Sequence, residues 1–114
     1  MSAEKSYPDR LFDLTDRVVL VTGGSRGLGR EMAFAAARCG ADVVIASRKF
    51  DNCVATAAAI EAETGRTAMP YAVHVGRWNE LEPLVEAVYA RFGKLDVLIN
   101  NAGMSPTYDS LADV

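Results

Sequence analysis

Eight residues, Thr22-Gly23-Gly24-Ser25-Arg26-Gly27-Leu28-Gly29, combine four glycines with two hydroxyls and a guanidinium. They follow the apolar run Val18-Val19-Leu20-Val21 and precede a stretch of helical periodicity. A helix start carries unpaired N–H groups and a partial positive charge, so it favours a phosphate. Glycines there let the chain turn tightly and let a pyrophosphate approach with no Cβ in the way. Two rival glycine patterns do not fit. Gly24 and Gly29 match the nucleoside-triphosphate loop, but Arg30 and Glu31 stand where Lys and Ser/Thr are needed. A G-x-G-x-x-G reading from Gly27 meets Met32 at its third glycine. What remains is Thr-Gly-x-x-x-Gly-x-Gly.

Other site chemistries lack their residues. Cys39 and Cys53 stand far apart, each inside an expected helix, and His74 is the single histidine. No spacing suits zinc or a disulfide framework, so reduced thiols in a cytoplasmic setting are the expectation.

The loop needs elements to position it, and the apolar pattern supplies them. The run at 18–21, a second at 43–46 and a third at 95–99 are apolar on both faces, as in a parallel sheet covered by helices on both sides. Residues 68–73 form a further strand, and Pro70 assigns it to an edge. Between the strands the period becomes helical. Leu28, Met32, Ala35, Ala36 and Cys39 share one face, and Gly40 follows as a stop. Asp51 is placed to cap an alanine-rich helix over 54–62 that Gly65 ends. Leu81, Leu84, Val85, Val88, Tyr89 and Phe92 make a stripe on a third helix. Asn79 with Glu82 has the form of a capping box there, with Pro83 in the tolerant first turn. The order βαβαβαβ, with right-handed crossovers, gives a parallel sheet.

The length of 114 residues fits one domain, and a chain 50% apolar and 24% charged is globular rather than disordered. Residues 1–16 read as a polar N-terminal extension in which Leu11, Phe12 and Leu14 offer a small docking patch. Residues 17–114 read as the folded domain. Twelve basic residues against fifteen acidic ones give −3, without the basic excess of a nucleic-acid binder. No secretory signal opens the chain, and no apolar run approaches the ~20 residues that span a bilayer.

Residues 22–29 resemble the cofactor motif of the short-chain dehydrogenase/reductase family. Asn100-Asn101-Ala102-Gly103, after the last apolar run, is similar to that family's second hallmark. The resemblance covers about residues 11–114. It implies an α/β, Rossmann-like parallel sheet with flanking helices, strand order 3-2-1-4, holding a nicotinamide dinucleotide. The expected cofactor contacts are Gly23, Ser25, Arg26, Leu28 and Gly29 in the loop, with Asn101, Ala102 and Gly103 against the ribose. Asn100 is expected to knit the sheet, and Trp78, Tyr71 and Tyr89 to pack.

An acidic residue ending the second strand would bind the ribose 2′-OH of NAD and repel a 2′-phosphate. This chain has Ser47-Arg48-Lys49 there. A phosphate monoester, with about −1.5 to −2 charges, suits such cations and Arg26. NADP(H) is therefore expected over NAD(H). The other reading of Arg48 and Lys49 is a solvated turn. His74-Val75 stands where many family members have Asp-Val against the adenine. His74 either stacks on or donates to that ring, or is a structural histidine at a strand end.

The resemblance also implies a Ser-Tyr-Lys catalytic set, the Tyr serving as acid/base beside a lysine four residues later. Tyr7, Tyr71, Tyr89 and Tyr108 are followed at that distance by Leu11, Val75, Gly93 and Ala112. The chain thus reads as the N-terminal cofactor-binding half of a longer NADP(H)-dependent oxidoreductase, inactive by itself and carrying no catalytic residue. The implied substrate is a small carbonyl/alcohol pair such as a 3-oxoacyl thioester, a sugar acid or a steroid-like ketone, and a homo-oligomer of the longer protein stays open. Alternatives are a non-catalytic dinucleotide-binding module and an inert α/β domain. An uncovered apolar strand at 95–99 predicts low stability and self-association.

Overall fold

The computed structural model of the protein describes residues 10–23, 25–74 and 77–101. Seven elements alternate along the chain: β1 (Val18–Thr22), α1 (Gly27–Arg38), β2 (Asp42–Ser47), α2 (Phe50–Thr64), β3 (Ala68–Ala72), α3 (Trp78–Phe92) and β4 (Val97–Asn100). The strands form one parallel sheet in the order β3-β2-β1-β4. Pro70 lies on β3, an edge strand as expected.

Alternation along each strand divides the core in two. Val19, Val21, Val43 and Ile45 pack with Ala33, Phe34, Ala36 and Ala37 of α1 and with Cys53, Ala57 and Ile60 of α2. Val18, Leu20, Val44 and Ala46 face the other way, against Leu84 and Val88 of α3. Helices on both faces explain why β1 is buried along its whole length. They also set the site. The chain steps outward from β1 to β3, then returns to β1's other side as β4. Ligands of open α/β sheets bind at such a reversal, beyond the carboxyl ends of the strands.

Several local expectations need correction. The buried face of α1 is Gly29, Ala33, Phe34, Ala36 and Ala37, while Leu28 is 68% exposed and Ala35 is exposed. The expected stripe is rotated about the helix: it took in Leu28 and Ala35 and missed Ala33, Phe34 and Ala37. Of the three N-terminal apolar residues, Leu14 packs on the core, whereas Leu11 and Phe12 are exposed. Cys39 is the C-cap of α1 rather than part of its interior.

Helix α2 starts one residue before Asp51, with Lys49 at its N-cap, so Asp51 acts on the helix dipole from the first turn. Helix α3 starts at Trp78 with Arg77 as N-cap, so no capping box forms on Asn79. Glu80 reaches back instead, accepting the His74 N–H at 3.0 Å and pairing with Arg77 at 3.4 Å. Pro83 is consequently the sixth helical residue, past the first turn, and forgoes a backbone bond to the Asn79 carbonyl. Along α3, Leu84 and Val88 are buried but Tyr89 is half exposed. The last strand begins two residues later than expected, and its Leu98 is 59% exposed.

Candidate functional site

Gly23 follows β1 at φ 68° and Gly27 opens α1 at φ 61°, both left-handed conformations that favour glycine. Gly29 is required for a different reason. A Cβ there would collide with the Gly23 carbonyl oxygen and lie 2.6 Å from Asn101 Nδ2. The absent side chain therefore lets the first turn of α1, the end of β1 and the residue after β4 converge. Two motifs over 70 positions apart meet at one point.

Hydrogen bonds hold that convergence. The Gly23 N–H donates to Ala46 O at 2.7 Å, tying the loop to β2. The Thr22 hydroxyl donates to Asn100 Oδ1 at 2.9 Å and accepts the Asn101 N–H at 3.1 Å. Asn100 thus knits β4 to β1, as expected. From the other side, Thr56 Oγ1 donates to the Ser25 carbonyl at 3.0 Å, fastening the loop to α2.

The electrostatics suit an anion. Arg26 is the N-cap of α1 and makes no side-chain cap hydrogen bond, and the first turn holds no acidic residue. Helices α2 and α3 carry Asp51 and Glu80 in that position. The positive end of α1 therefore has no built-in counter-charge in its first turn. Beside it lies a cleft of about 390 Å³ lined by Ser25, Arg26, Arg30, Asn52, Ala55 and Thr56.

Those of the remaining expected contacts that are described sit at the same end of the sheet. Ser47 ends β2, half-buried, with Oγ 3.0 Å from Cys53 Sγ. Arg48 and Lys49 are exposed on the turn into α2, and neither lines the cleft. His74 is half-buried just past β3. Leu28 is open to solvent at the start of α1. Val75, Ala102 and Gly103 lie outside the described residues.

Two polar contributors carried no sequence signal strong enough to single them out: Thr56 and Arg30. Thr56 offered the best clue, being a hydroxyl in an alanine-rich helix on the same face as Cys53 and Ile60.

Titration is perturbed away from the site. Asp96 precedes β4 at the sheet's opposite end, where the Val18 N–H, Lys94 and Arg17 hold its carboxyl below the ordinary range. Lys94 also donates to the Asp16 carbonyl. Among the described residues no acid, His or Cys cluster could hold a metal, and no helix is long and apolar enough to cross a membrane.

A family model described as short chain dehydrogenase matches residues 17–113. Short chain dehydrogenase/reductase astE of Aspergillus oryzae is 34% identical over 106 residues, 93% of this chain and 41% of that protein. L-rhamnose 1-dehydrogenase (NAD(P)(+)) of Azotobacter vinelandii is 41% identical over 101 residues, 86% of this chain and 40% of that protein. Among solved structures, L-sorbose reductase of Gluconobacter frateurii, complexed with NADPH and L-sorbose, superposes with a TM-score of 0.81 at 28% identity. That match covers 90% of this chain and 39% of the reductase. The chain spans well under half the length of these relatives.

Proposed function

The chain belongs to the short-chain dehydrogenase/reductase family, and from that premise we propose that it is the cofactor-holding part of an NADP(H)-dependent oxidoreductase. The observation that carries this reading is the meeting of Gly23, Gly29 and Asn101 against the N-terminus of α1. That surface fits a dinucleotide: the missing side chain of Gly29 lets the end of β1 and the residue after β4 close on the first turn of α1, and that turn has no acid of its own. The amides of residues 26–29 would hold the pyrophosphate, and Asn101 would stand beside the ribose. Thr22 and Asn100 keep the two strand ends at fixed spacing.

The preference for NADP(H) rests on charge. Ser47 ends β2 where an acid would repel a 2′-phosphate, Arg48 and Lys49 follow it on the turn into α2, and Arg26 is the N-cap of α1. Support comes from the L-sorbose reductase neighbour, which is bound to NADPH, and from the L-rhamnose relative, whose name carries NAD(P)(+). When bound, the nicotinamide supplies or accepts a hydride, and the substrate class is a small carbonyl/alcohol pair. The proton for such a reaction needs a donor, and no tyrosine of this chain has a lysine four residues on.

Calorimetric titration with NADPH and NADH tests the assignment. Tighter binding of NADPH, with Ser47→Asp or Arg48→Ala shifting preference toward NADH, is expected. Equal affinities in the unmodified protein would remove the NADP(H) assignment, and no binding of either would remove the dinucleotide.

A further inference from the structure

Arg30 shares the cleft between α1 and α2 with Arg26. These two residues and Ser25 form one wall, while Asn52, Ala55 and Thr56, at helical spacing on α2, form the other. None of the six lining residues is acidic. Two guanidinium-bearing side chains in a lining without acids suit a dianion.

The neighbours of Arg30 leave its donors available. Its Cζ stands 4.6 Å from the centre of the Phe34 ring, and Glu31 Oε1 is 4.0 Å from its Nη1, at the outer limit of an ion pair. Arg38 approaches the same ring at 5.2 Å. Its charge, however, is answered by Glu63 through two hydrogen bonds of 3.2 and 2.9 Å. Of the two arginines that share Phe34, one is paired with a carboxylate and the other lines the cleft. Stacking fixes the plane of a guanidinium without consuming its N–H groups, so they stay free for a phosphate. Phe34 is itself held in the core beneath α1.

We infer that Arg30 is a specificity-determining residue for the cofactor's 2′-phosphate, acting beside Arg26, and that Phe34 is its positioning residue. The inference rests on the dinucleotide reading above.

Titrations of the chain with NADPH, NADH and adenosine 2′-monophosphate test it. Arg30→Gln is expected to weaken NADPH and the 2′-monophosphate by roughly five- to tenfold, the scale of charge-assisted hydrogen bonds at a half-exposed site. NADH should change less than about twofold, because only the phosphate monoester meets the lost charge. Arg30→Lys should restore part of the loss, and the salt dependence of NADPH binding should flatten in Arg30→Gln. Phe34→Leu should reproduce a smaller, equally selective loss; if that variant fails to fold, the two Arg30 variants decide alone. A native protein that prefers NADPH while Arg30→Gln leaves the NADPH/NADH ratio unchanged overturns the role of Arg30 and leaves the cofactor reading standing. A native protein that binds both cofactors equally overturns both.

Discussion

Replacing Gly29 by alanine probes the junction on which the site depends. In an ordinary helix the change would stabilise by about 1 kcal/mol, since alanine is the better helix former. Here the new Cβ would meet the Gly23 carbonyl, lie 2.9 Å from its carbon and sit 2.6 Å from Asn101 Nδ2. Two of those neighbours are backbone atoms of a turn anchored to β2 by the Gly23 N–H, so they cannot swing away as a side-chain end would. Overpacking of this kind typically costs ~1–3 kcal/mol, which cancels or exceeds the helix gain. The net expectation is a loss of up to about 2 kcal/mol, or several degrees in Tm for a domain of this size. Cofactor binding should suffer more than stability, because relief of the clash must spread the loop away from the α1 amides. Thermal melts and NADPH titration of the same preparation measure both. A variant that melts at or above the unmodified protein and binds NADPH equally well would refute the close convergence of Gly23, Gly29 and Asn101.

Three further outcomes follow from other parts of the fold. Thr22→Val removes the hydroxyl that joins Asn100 to Asn101, leaving polar partners unmet, and should cost about 1–3 kcal/mol in urea unfolding. Asp96 has a lowered folded-state pKa, so the stability contributed by its carboxylate is present above the ordinary value of 3.8 and is lost as pH falls through the lower folded value. Urea midpoints measured down the acid range should drop there, and Asp96→Asn should flatten that drop. Leu98→Lys on the exposed face of β4 should reduce self-association in sedimentation experiments, because a charge on an open edge strand opposes pairing between chains.

Much of the architecture was legible because burial leaves a strong pattern. Val18-Val19-Leu20-Val21 and Val43-Val44-Ile45-Ala46 are apolar on both faces, and the structure covers them with helices on both sides. Pro70 signalled an edge because a ladder N–H is missing there. Helix details were less legible, since α1 carries apolar residues on more than one face. Hydrophobic periodicity turned α1 toward Leu28 and away from Ala33 and Ala37, the small residues that contact the sheet. The Asn79–Glu82 pattern failed for another reason: Glu80 bonds to the chain before α3, so the helix begins before Asn79. In the candidate site, the glycine run and Asn100-Asn101 stood out by type and position. Thr56 and Arg30 did not, because their roles arise from contacts across α1, α2 and the loop that no local spacing encodes.

The claim beneath all of this is that the backbone amides opening α1 receive the phosphates of a dinucleotide. Amide resonances of residues 25–29, followed by NMR during addition of NADPH to the ¹⁵N-labelled protein, report on it directly. Large shifts of Arg26, Gly27, Leu28 and Gly29, with Asn101 moving in step and the Asp96 end of the sheet unmoved, are predicted. Saturable binding that leaves those amides in place, or shifts confined to other elements, would contradict it.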